Sequence, residues 1–98
     1  MFDEMDRLRE EKDLFILLSH YAALGAVDRQ AWQDRLLAME RVEARRLVRL
    51  HGELLAYGWL EQNTGLTPVL RRGEAPACYR ITTGGLRSLK QLRAELAA

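Results

Sequence analysis

Residues 54–89 read LLAYGWLEQNTGLTPVLRRGEAPACYRITTGGLRSL. Leu54, Leu55 and Tyr57 close an amphipathic run. Gly58 then ends it, because glycine takes the left-handed position after a helix without a Cβ penalty. Residues 59–62 suit a strand that opens on the aromatic Trp59. Asn63, Thr64 and Gly65 are turn formers, and residues 66–75 make a long loop with Pro68, Arg71, Arg72 and Gly73. Residues 78–81 return as a second strand, whose alternation places Tyr79 and Ile81 on one face. Thr82 is positioned to cap a last helix over residues 83–96, with Leu86, Leu89, Leu92 and Leu96 as its apolar stripe. A hairpin held between two helices is the frame into which the rest of the chain must fit.

Upstream, residues 43–57 predict a helix that buries Leu47, Leu50, His51, Leu54 and Leu55 at three- and four-residue spacing. A turn near residues 40–42 is expected to separate it from a helix two that starts at about Arg29. Asp28 would cap that helix, Val27 and Trp32 stand at the spacing of a hydrophobic staple, and Trp32, Leu36 and Met39 would face inward. Between Arg29 and Ala56 there is no Pro, Ser, Thr or Asn, and Gly52 is the one glycine. The residues therefore also allow one continuous helix, with Leu36, Leu47 and Leu54 on a common face. The first helix spans residues 3–24 on Leu8, Leu14, Phe15, Leu18, Tyr21 and Ala22, with Gly25 at its end. Residues 26 and 27 can add a very short strand after it.

With 98 residues, 48% of them hydrophobic and 30% charged, the chain has the composition of one globular domain, residues 1–98. Its longest apolar run, residues 14–18, is too short to span a bilayer. The acidic N-terminal MFDEMDRLREEK carries no secretory apolar region, which gives the expectation of a cytoplasmic protein. A single cysteine, Cys78, excludes an internal disulfide and a cysteine metal cage. The net charge of +1 is unevenly divided: residues 1–28 hold seven acids and three bases, and residues 29–98 hold seven acids and twelve bases. A basic second part suggests an anionic partner, although solvated charged faces produce the same imbalance.

The order of helix, short strand, helix, helix, strand, wing, strand and helix resembles the winged helix-turn-helix. Leu54-x-x-x-Gly58-Trp59-Leu60 is similar to the L-x-x-x-G-L-I/V that ends the recognition helix and opens the wing in that superfamily. Tyr79-Arg80-Ile81-Thr82-Thr83-Gly84-Gly85-Leu86 resembles the Y-x-L-T-x-x-G that closes the wing in MarR- and PadR-type bacterial regulators. The resemblance covers residues 26–90. Where MarR-type wings carry Asp-x-Arg, this chain has Glu74-Ala75-Pro76-Ala77, and the subfamily stays open. The fold it implies is mainly α with a small β-hairpin: three helices, a two-stranded wing and a C-terminal helix.

The resemblance further implies a transcriptional regulator that places helix 43–57 in the major groove of DNA and wing 63–77 on the backbone. The DNA-binding set would be Arg41, Arg45, Arg46 and Arg49 on the helix, Arg71 and Arg72 at the wing tip, and Arg80 on the return strand. Arginine can bridge guanine O6 and N7 with two bonds. Arg41, Arg45 and Arg49 recur every four residues, and like charges at that spacing repel by a few tenths of a kcal/mol unless an anion relieves them. The plainer reading is a solvated face in which Arg49 pairs with Glu53. A homodimer through the terminal helices is the expected assembly, its candidate contacts being the acidic first helix and the Leu86/Leu89/Leu92/Leu96 stripe. The alternative function is a protein-interaction module or adaptor subunit without DNA binding, which the near-neutral net charge favours.

No enzyme emerges from the residues. His51-Gly52-Glu53 matches the His-x-Glu of zinc deaminases but lacks their Pro-Cys-x-x-Cys. His51 falls on the inward face of its helix, the place of a satisfied core histidine, and His20 reads the same way. Cys78 reads as a small buried residue, and Trp32 and Trp59 as core. No phosphate loop, nucleophile triad or paired carboxylates show motif spacing, so no cofactor and no metal are expected.

Overall fold

The N-terminal leucines fold as two helices, not one, in the computed structural model, which describes residues 3–63 and 78–97. α1 (Glu4–Glu10) opens on a reciprocal cap. Asp3 accepts from the Asp6 N–H at 3.1 Å, and Asp6 accepts from the Asp3 N–H at 2.9 Å. Glu11 is extended and breaks the run, so that α2 (Lys12–Val27) sets off in a new direction. α1 is tied to two helices distant in sequence. Arg7 binds Glu53 of the third helix through two bonds, at 2.6 and 3.0 Å, and Arg9 binds Glu95 of the last helix at 2.8 and 3.1 Å. α2 continues through Gly25, which is not its end. A Cβ there would stand 3.5 Å from Ile81 Cγ2, an ordinary packing distance. The strand expected at residues 26–27 is accordingly absent. Val27 is 91% exposed and staples nothing.

Helix two is the main correction. Asp28 does cap a turn, accepting from the Gln30 N–H at 3.0 Å, but the turn is not continued. Residues 33 and 34 form β1 (Gln33–Asp34), and residues 35–38 are irregular. The backbone that a helix would have satisfied internally is satisfied by tertiary partners instead. The Leu36 N–H donates to the Tyr21 hydroxyl at 3.0 Å, and the Gln30 carbonyl accepts from Arg80 at 2.8 Å. These contacts override a favourable local helix propensity. The turn anticipated at residues 40–42 is present. Val42 N–H donates to Met39 O at 3.1 Å, and Arg41 sits there with φ 63°.

α3 (Ala44–Ala56) follows and buries Leu47, Leu50, His51 and Leu54, with Leu55 half-buried. Its end is the one read from Gly58, which has φ 74°. Trp59 N–H donates to Leu54 O and Gly58 N–H to Leu55 O, each at 3.0 Å, the two bonds of a Schellman motif. β2 (Leu60–Gln62) and β3 (Cys78–Ile81) pair antiparallel, with Leu60 opposite Ile81 and Glu61 opposite Arg80. β1 adds to the other side of β3, so among the described residues the sheet runs β1-β3-β2, and the short strand beside the two-stranded wing lies at residues 33–34 instead of 26–27.

Thr82 caps α4 (Thr83–Ala97) as read: its Oγ1 accepts from the Gly85 N–H at 2.9 Å. The same hydroxyl donates to the Gly58 carbonyl at 2.6 Å and so joins the end of α3 to the start of α4. Gly85 is required there, since a Cβ would fall 2.3 Å from the Trp59 carbonyl oxygen. One core runs through the molecule, from Leu8, Leu14, Leu17, Leu18 and Tyr21 across α3 and the sheet to Leu89 and Leu92. The fold is mainly helical, with a small antiparallel sheet.

Candidate nucleic-acid interface

The buried leucines of α3 fix which of its residues face outward. Arg45, Val48, Arg49, Gly52 and Ala56 are exposed and recur at helical spacing on one face. Arg45 and Arg49, one turn apart, form no ion pair among the described residues. Glu53, the partner expected for Arg49, is occupied. It accepts from Arg7 and from the Tyr57 hydroxyl, the latter at 2.5 Å. The hydrogen bonds of Arg7 hold its carboxyl below the usual range. Two guanidinium forks therefore stand on this face with their donors turned to solvent.

The other arginines divide differently. Arg41 is exposed but lies in the turn before α3, so the stripe of three arginines every four residues reduces to Arg45 and Arg49. Arg46 is half-buried and held by two acids at the α1–α2 junction, in close contact with Glu11 and at 3.3 Å from Asp13. Arg80 is engaged at the sheet. It meets Glu61 with bonds of 3.0 and 2.9 Å, donates to Gln30 O and stacks 4.0 Å over the Trp32 ring. Trp32 is thus only half-buried, a platform and not a core residue, and Cys78 is half-buried as well. Arg71, Arg72 and the wing beyond Asn63 lie outside the described residues.

Val48 was not legible as a site residue. It is an apolar side chain, 52% exposed, between Arg45 and Arg49. The signal was its position: three residues after Arg45 and one before Arg49, it must share their face. In the sequence Glu11 and Asp13 are two acids of an acidic helix, and only the tertiary fold pairs them with Arg46.

Behind this surface His51 and Tyr21 belong to one buried hydrogen-bonded chain. The Leu47 carbonyl can only accept, so His51 Nδ1 carries the proton that bridges them at 2.9 Å. His51 Nε2 is then left to accept the Tyr21 O–H at 2.8 Å, and Tyr21 in turn accepts the Leu36 N–H. Burial lowers the His51 pKa and raises that of Tyr21 to about 12, which keeps both neutral. His51 is thus structural, as its inward position suggested. Among the described residues no group of His, Cys, Asp and Glu can hold a metal ion, and no helix is long and apolar enough to cross a membrane.

Of the leucine stripe on α4, Leu89 and Leu92 are buried in the chain's own core and Leu86 packs against it. Only Leu96, 68% exposed, remains outward. Neither a protein-family model, nor a curated protein, nor a solved structure matches this chain.

Proposed function

We propose that the protein is a winged-helix-type, sequence-specific duplex DNA-binding protein of the regulator class, with α3 as the helix presented to the major groove. The observation that carries this reading is the pair Arg45 and Arg49. They are exposed and without an ion pair among the described residues, on a helix that leads directly into the hairpin. An unrelieved like-charge pair one turn apart is unfavourable in the free protein and becomes favourable against phosphate or a guanine edge. The small Gly52 and Ala56 on the same face permit close approach of a backbone. Two copies on a palindromic site would meet through the terminal helices, where Leu96 is the outward leucine of α4.

The test is duplex binding by fluorescence anisotropy at about 20 mM and 150 mM salt, with site selection from random sequence. A binder with several phosphate contacts loses orders of magnitude in affinity over such a range. Arg45→Ala with Arg49→Ala should weaken binding at least tenfold at low salt and flatten the salt dependence by about two phosphate contacts. No affinity for duplex DNA at 20 mM salt would refute the proposal.

A second reading, a protein-interaction module, is favoured by Val48, an exposed aliphatic at the centre of the same face. On that reading Val48→Asp abolishes capture of a stoichiometric protein partner, and duplex binding is absent.

A further inference from the structure

We infer that Glu11 and Asp13 act as an internal substitute for phosphate: they hold Arg46 off the DNA-binding face and thereby set the affinity of α3 for nucleic acid. The inference rests on the DNA-binding reading above. Arg45, Arg46 and Arg49 are all on α3, yet Arg46 alone of the three is folded back onto carboxylates. Both acids come from the junction where α1 gives way to α2. The Glu11 backbone closes α1, its N–H donating to the Arg7 carbonyl, but the Glu11 side chain has no such structural task. Glu11 stands at the N-cap position of α2, but its side chain makes no capping bond. Its carboxylate is turned to Arg46 instead.

The geometry suits a contact that competes and does not lock. All three side chains remain partly exposed, at 38% for Arg46, 23% for Glu11 and 31% for Asp13. Such pairs are weak and screened by salt. A phosphate arriving beside Arg45 and Arg49 offers Arg46 anionic oxygens in place of the two that the acids present to its Nη2, and can take both arms of the fork. Exchange then adds one cationic contact on the DNA side and releases two carboxylates close to the incoming backbone. Those freed acids repel the phosphates, so the net effect of the latch is to weaken binding. The acidic N-terminal segment thereby gains a specific role: it restrains one arginine of the three.

The experiment is a cycle measured by anisotropy on one duplex at several salt concentrations. Its members are the wild-type chain, Glu11→Gln with Asp13→Asn, Arg46→Ala, and the triple variant. The control is Glu4→Gln with Glu10→Gln, which removes the same charge from exposed acids of α1. The latch predicts that the Glu11/Asp13 variant binds about three- to tenfold more tightly. Its log K against log salt should be steeper by about one contact. Arg46→Ala alone should change affinity less than twofold, but in the unlatched background it should cancel the gain. An equal gain in the Glu4/Glu10 control, or a gain that survives Arg46→Ala, would overturn the latch while leaving DNA binding intact. If the Glu11/Asp13 variant does not fold, Arg46→Ala decides: a loss as large as that from Arg45→Ala shows that Arg46 is already free. Absence of binding by every member, including the unlatched one, overturns the DNA reading and the latch together.

Discussion

Arg41 occupies the left-handed region of backbone space at φ 63°, where an L-residue with a Cβ is disfavoured by roughly 1–2 kcal/mol. It holds that conformation inside the tight Met39–Val42 bridge that aims the chain into α3. Glycine accepts the conformation freely. Arg41→Gly should therefore raise stability, by about 0.5–1 kcal/mol in urea unfolding. The same substitution removes an exposed cation next to the proposed DNA face and should lower duplex affinity. A residue that costs stability where glycine would serve is better explained by a task on the surface than by packing. Equal or lower stability of the glycine variant would show that the Arg41 side chain supports the turn.

At the scale of elements, two of the helical glycines, Gly85 and Gly52, make a contrasting pair. A Cβ at Gly85 would collide with the Trp59 carbonyl at 2.3 Å, and backbone cannot retreat as a side chain can. A Cβ at Gly52, in mid-α3, would meet nothing within 4 Å. Gly85→Ala should cost about 3 kcal/mol through overpacking, whereas Gly52→Ala should gain about 0.5–1 kcal/mol through helix propensity. Thermal melts of the two variants should move in opposite directions. The hairpin and its flanking helices were legible in the sequence because each boundary has a local cause: Gly58 for the end of α3, Thr82 for the start of α4, alternation for Tyr79 and Ile81. Helix two was not legible, because what prevents it is non-local. The Tyr21 hydroxyl fifteen residues upstream takes the Leu36 N–H, and Arg80 on β3 takes the Gln30 carbonyl. The candidate site divided along the same line. The exposed faces of Arg45 and Arg49 followed from helical period, while the engagement of Arg46 and Arg80 depended on which distant carboxylates the fold delivers.

For the whole molecule, the buried and paired ionisable groups predict a stepwise loss of stability in acid. Burial lowers the pKa of His51 below its ordinary 6.5, with the nearby Arg35 and His20 acting in the same direction, and burial lowers that of His20 too. The unfolded chain then binds these protons more tightly than the folded one. Stability present above pH 6.5 is lost as the pH falls through that value. Glu53, held down by Arg7, gives a second step: its contribution is present above its ordinary 4.5 and is lost below it. Denaturation midpoints from pH 8 to 3 should show a plateau above 7 and two descents. His51→Gln should blunt the first, and Glu53→Gln should lower the plateau by about 1 kcal/mol and blunt the second. A profile flat between pH 7 and 5 would overturn the assignment of a neutral His51 in the folded chain. The Thr82 hydroxyl has a consequence at this scale as well. By accepting from Gly85 and donating to Gly58, it makes the end of α3 and the root of α4 one hinge pin. The two helices are thus fastened to one another through a single side chain, so loss of that one hydroxyl in Thr82→Val would fray the end of α3 and the start of α4 together.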